Sequence, residues 1–98
     1  MFRNKQGKFC IAGSKIVEVD KTTITPYHDN LVILGKHNLF YYFIHNGDEY
    51  IIDERGLNKI VNDSMLNVFY KENIKNVYQY GNHVYLGSES REKFFLLI

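Results

Sequence analysis

Ninety-eight residues, 45% hydrophobic and 23% charged, have the size and composition of one ordinary globular domain, expected to span residues 1–98. A net charge of +1 offers no general pull toward nucleic acid. No run reaches the roughly 20 apolar residues of a membrane span, and one cysteine, Cys10, rules out an intramolecular disulfide. The opening MFRNKQGK lacks the apolar stretch of a secretory signal, so a cytoplasmic protein without membrane contact is expected.

Charge is unevenly spread. Residues 1–36 hold six Lys/Arg against three Asp/Glu, a net +3, and residues 37–72 hold three against six, a net −3. A dipole of this kind can orient a protein partner or a second copy of the chain. Frequent Lys, Asn, Ile and Tyr are what AT-rich coding produces, which points to a low-GC bacterium or its phage.

Along the chain, Lys8–Ala12 and Lys15–Val19 flank Gly13-Ser14, a glycine-first pair that predicts a hairpin with a type II′ turn. Thr22–Thr25 is a short β-branched stretch that Pro26 ends or confines to a sheet edge. Tyr27–Asn30 is turn material, and the apolar run Leu31–Leu34 reads as a buried strand.

The chain is organised around Asn38–Asp53, where two β-prone runs flank Asn46-Gly47. Asn-Gly is the strongest short-range hairpin signal, because a type I′ turn needs positive φ at both central residues. A two-residue turn sets His45 opposite Asp48, Phe43 opposite Tyr50 and Tyr41 opposite Ile52. Tyr41, Phe43, Tyr50 and Ile52 then share one face, and Phe40, Tyr42, Ile44 and Ile51 share the other with Glu49 and Asp53. Both faces are largely apolar over the first strand, so both need cover. A helix can cover one; the other needs another layer, a partner or a ligand.

Beyond Glu54-Arg55-Gly56, Leu57, Ile60, Val61, Met65, Val68 and Phe69 recur at spacings of three and four, which predicts one amphipathic helix over residues 57–72. A second reading makes Leu57–Val61 a strand and starts the helix after Asp63. Asn76–Tyr80 and His83–Gly87 then flank Gly81-Asn82, another type II′ candidate, and Lys93–Ile98 is a final apolar run. The expected fold is α+β: an antiparallel meander of six to eight strands with one helix packed on the sheet.

The last hairpin supplies the main candidate site. Its register places Tyr78, Tyr80, His83 and Tyr85 on one face and Val77, Gln79, Val84 and Leu86 on the core side. Tyrosine combines a broad apolar ring with a polar tip at small rotamer cost, as contact surfaces require. Tyr42 on the central hairpin joins these as a partner-binding candidate. The competing structural reading is a half-buried face covered by the terminal segment, since tyrosine favours strands anyway.

Catalytic and metal motifs are missing. His28, His37, His45 and His83 match no compact ligand spacing, Cys10 has no second cysteine, and the acidic Asp48, Glu49, Asp53 and Glu54 suit hairpin ends that need solubility. No enzyme, metal or cofactor is expected. The expected function is a small non-enzymatic protein-binding module, able to form a homodimer, of the kind that serves phages or mobile elements as inhibitor or regulator of a host protein, in anti-defence or immunity. The alternative is a single-stranded nucleic-acid or small-ligand binder using the tyrosine face, for which the net charge gives no support.

Overall fold

The computed structural model describes residues 1–33, 41–70, 74–88 and 94–96. They form three antiparallel sheets. The first sheet contains β1 (Phe2–Arg3), β2 (Phe9–Ala12), β3 (Ile16–Asp20) and β4 (Thr23–Pro26) in that spatial order. The second contains β5 (Tyr41–His45), β6 (Asp48–Asp53), β7 (Gly56–Val61) and β8 (Ser64–Tyr70), again in sequence order. The third contains β9 (Ile74–Tyr80), β10 (His83–Ser88) and β11 (Phe94–Leu96), with β10 in the middle.

The second sheet is the middle layer. Ile51 faces the first sheet in a core with Cys10, Ile16, Tyr27 and Leu31. Its neighbour Ile52 faces the third sheet in a core with Phe43, Tyr50, Leu57, Ile74, Val84 and Leu86. Successive side chains on a strand point to opposite faces, so one central hairpin feeds both cores. The need for cover on both sides, legible in the alternation, is met by two further sheets.

The central hairpin has the expected register, with Tyr41↔Ile52, Phe43↔Tyr50 and His45↔Asp48. Asn46 (φ 51°) and Gly47 (φ 80°) both take the left-handed conformation that a type I′ turn requires. Phe43 and Tyr50 stack across the strands at 5.1 Å between ring centroids. Phe40 lies outside the described residues.

The α+β expectation is overturned: no helix occurs among the described residues, and the architecture is all-β. The stretch expected to be helical forms β7 and β8, joined at Asn62-Asp63 and paired through Val61↔Ser64 and Ile60↔Met65. Asn62 (φ 49°) and Asp63 (φ 64°) build a second type I′ turn, because their short polar side chains tolerate the left-handed region. The helical spacing arises partly from burial on both sides and partly from the exposed Val61 and Val68. Leu57 enters one core while Ile60 and Met65 pack against the other, so the apolar residues lose the period of two that marks a one-sided strand. Of the second reading, the strand Leu57–Val61 stands and the helix after Asp63 does not. Residues 71–73 lie outside the described part.

Two smaller corrections concern the first sheet. Gly13–Lys15 is a three-residue loop that pairs Ala12 with Ile16 and is closed by the Gly13 N–H donating to the Lys15 carbonyl at 2.8 Å, rather than a two-residue type II′ turn. Leu31–Ile33 is not a strand. Leu31 is fully buried, but the Ile33 N–H donates to the Ser14 carbonyl and Arg55 Nη2 donates to the Val32 carbonyl at 2.7 Å, so side-chain docking replaces a ladder. Leu34 lies outside the described residues. Among the described residues no helix is long and apolar enough to cross a membrane.

Candidate contact surface

Gly81 (φ 60°) takes the first central position of a type II′ turn between β9 and β10, and this turn sets the register Tyr80↔His83, Val84↔Gln79, Tyr85↔Tyr78 and Leu86↔Val77. Directly paired residues share a face, so Tyr78, Tyr80, His83 and Tyr85 lie together, as the sequence pattern implied. The opposite face supplies Val84 and Leu86, both fully buried, and Val77 packs against the same core. Outward, Tyr80 is 78% exposed and Tyr78 52%; His83 is exposed and Tyr85 half-buried. The His83 and Tyr85 rings lie 6.3 Å apart. The terminal run supplies β11, which pairs edge-on with β10 through Leu86↔Phe95 and extends the sheet in its own plane. Gln79 ties the third sheet to the second by donating to the Ile44 carbonyl at 2.8 Å.

Tyr42 is not part of this surface. It lies on the first-sheet side of β5, stacks on Phe2 at 4.4 Å and donates its hydroxyl to Glu49 Oε2.

Glu49 is the centre of a polar cluster between the first two sheets. It is buried, and its Oε2 also accepts from the hydroxyl of buried Tyr27. His28 Nε2 lies 3.2 Å from Glu49 Oε1, and His28 Nδ1 lies 2.5 Å from Asp63 Oδ1 in the β7–β8 turn. His28 itself has φ 53°, a left-handed conformation that histidine adopts more readily than most residues and that turns its ring back toward the second sheet. The cluster therefore joins the corner after β4 to three elements of the middle sheet. Burial first, and then the hydrogen bond to Glu49, push the hydroxyls of Tyr27 and Tyr42 well above the ordinary tyrosine value of 10.0.

That shift has a direction in stability. Above about pH 10 the unfolded chain loses two phenolic protons that the folded chain keeps, so stability is full below that pH and falls as pH rises beyond it. Spectrophotometric titration at alkaline pH is expected to show two phenols that ionise only as the fold is lost. The variant Tyr27→Phe/Tyr42→Phe should lack that late component. An unchanged late component in the variant would place it on other tyrosines.

A second cluster closes the β6–β7 turn. Asp53, whose side chain is fully buried, accepts from Arg55 Nη2 at 2.6 Å, from Asn58 Nδ2 at 3.0 Å and from the Arg55 backbone N–H at 2.9 Å. Cys10 is buried, and burial, with the nearby Glu18 charge, raises its thiol above 9.0, as suits an inert core sulfur.

The three described histidines do not converge. His28 serves the Glu49 cluster, His45 is buried beside the Asn46-Gly47 turn, and His83 sits on the tyrosine face. His37 lies outside the described residues. No group of three His, Cys, Asp or Glu side chains among the described residues is placed to hold a metal ion.

In the sequence alone Glu49 has the marks of a surface acid and Tyr27-His28 those of a plain turn, and nothing joins them into a cluster. One signal was present: Glu49 and Asp53 share a strand face with Tyr42 and Ile51, and a carboxylate on an otherwise apolar face calls for buried donors. The donors themselves come from 21 and 22 residues away and had no local signature. No protein-family model, curated protein or solved structure matches this chain.

Proposed function

We propose that this chain is a small non-enzymatic binding module that docks a protein partner through the outward face of the third sheet. The observation that carries the reading is Tyr78 and Tyr80 standing 52% and 78% exposed on a hairpin whose other face sends Val84 and Leu86 into the core. Large rings held outward on a rigid hairpin lose little side-chain entropy on docking, and such rings are enriched among the residues that dominate binding energy. From Asn76 to Leu86 the sequence has no lysine or arginine, so the stretch that carries the rings offers a phosphate backbone no Lys or Arg counter-charge. Such a module acts by occupancy, as an inhibitor or regulator of the protein it covers.

The test is competitive crosslinking in cell extract. A copy carrying a photo-crosslinker at position 80 is expected to give discrete adducts that unlabelled protein suppresses. Tyr78→Ala/Tyr80→Ala should need at least about 30-fold more protein for the same suppression, the effect of a hot spot worth about 2 kcal/mol. Its fold should be intact, since exposed substitutions usually change stability by less than about 0.5 kcal/mol. Equal suppression by the double variant would remove the tyrosine face from the binding surface.

A further inference from the structure

The first sheet opens at one end. β2 and β3 are paired from Ala12↔Ile16 to Cys10↔Glu18 and no further. Beyond that point β2 continues to Phe9, still paired with Arg3 of β1, and β3 continues to Asp20, still paired with Thr23 of β4. The two hairpins part, and a groove of about 260 Å³ lies between Gly7, Lys8 and Phe9 on one side and Glu18, Val19 and Asp20 on the other.

The groove is built rather than incidental. Asn4, only 3% exposed, accepts the backbone N–H groups of Gln6 and Lys8 on its Oδ1, both at 3.0 Å, and so shapes the lip in which Gly7 takes φ 80°. The same side chain donates from Nδ2 to Glu18 Oε1 at 3.0 Å and fixes that carboxylate on the opposite wall. Glu18 Oε2 then stands 3.8 Å from Lys8 Nζ, an ion pair too long for a hydrogen bond. Arg3 is held over the Phe9 ring at 4.0 Å and donates to the Gly7 carbonyl at 2.9 Å.

One cation, Lys8, thus lines the groove with two carboxylates, Glu18 and Asp20, beside an apolar wall of Phe9 and Val19. A ligand of a single charge sign would meet repulsion from one side of this set. A zwitterion would satisfy each side, and an apolar side chain would cover the wall. We propose that the groove binds a free α-amino acid with an apolar side chain, its ammonium group on Glu18 and Asp20, its carboxylate on Lys8, and its side chain against Phe9 and Val19.

The site lies on a different sheet from the tyrosine face, so either assignment can fail alone. The test is an NMR titration of the isotopically labelled full chain with L-leucine. Saturable shifts are expected at the amides of Gly7, Phe9 and Val19. Leucinamide, which lacks the carboxylate, and 4-methylpentanoate, which lacks the ammonium group, should each bind at least about tenfold more weakly, the loss of one good charged contact. Lys8→Met changes a side chain that is 63% exposed, leaves the fold in place and should abolish the preference for leucine over leucinamide. No saturable shift at the groove would overturn the proposal. Equal binding of leucinamide would overturn the zwitterion assignment, as would equal binding of the peptide Leu-Gly-Gly, whose carboxylate lies too far from its ammonium group.

Discussion

Glu49→Ala is expected to destabilise the protein by about 3–5 kcal/mol, the range for breaking a buried charged contact from one side. The reason is the asymmetry between losing an acceptor and losing a donor. Alanine at position 49 takes the shared partner from the hydroxyls of Tyr27 and Tyr42 and from one ring nitrogen of His28, leaving Tyr27 only a long 3.4 Å hydrogen bond to Gln6 Oε1. Each stranded polar group costs about 1–3 kcal/mol where water cannot reach it. Tyr27→Phe removes one donor and strands nothing, because Glu49 still accepts from Tyr42, so its cost should stay near 1 kcal/mol. Urea unfolding at neutral pH reads both, with the denaturant slope unchanged if the native sheets persist. In a Tyr27→Phe/Tyr42→Phe background the Glu49→Ala penalty should shrink, since no hydroxyls remain to be stranded. A Glu49→Ala cost no larger than that of Tyr27→Phe would show that the cluster does not hold the two sheets together.

What could be read beforehand divides along a physical line. Pairings set by a tight turn were legible: Asn46-Gly47 and Gly81-Asn82 each determine a register within a few residues, and from the register follow the two faces of β5–β6 and the outward row of Tyr78, Tyr80, His83 and Tyr85. Cover on both sides of the central hairpin was legible too, because Phe43 and Tyr42, or Ile51 and Ile52, cannot all face one core. That double burial also concealed β7 and β8. A strand that feeds two cores carries apolar residues at mixed spacing, and Leu57, Ile60 and Met65, with the exposed Val61, fit a helical stripe by coincidence. Asn62-Asp63 was the discriminating signal, since a pair suited to the left-handed region splits a hairpin more readily than it extends a helix. The Glu49 cluster was not legible at all in its pairing, because nothing local ties His28 to Asp63, 35 residues on.

The layered arrangement makes its own test at two adjacent residues. Ile51 is 0% exposed and Ile52 is 1% exposed, and they point into different cores. Ile51→Ala and Ile52→Ala should therefore each cost about 2–5 kcal/mol, the range for truncating a buried aliphatic side chain that leaves a cavity. A sheet with one solvated face would behave differently, losing stability at one position and staying within about 0.5 kcal/mol at the other. The two cavities should also differ in what they loosen. Ile51→Ala opens the core shared with Cys10, so that thiol should react with a disulfide reagent faster than in the parent protein, whereas Ile52→Ala opens the core shared with Val84 and Leu86 and should leave Cys10 protected. Denaturant midpoints give the first comparison and thiol reaction rates the second. Equal acceleration of Cys10 in both variants would mean that the two cores yield together, and that the middle sheet does not insulate one from the other.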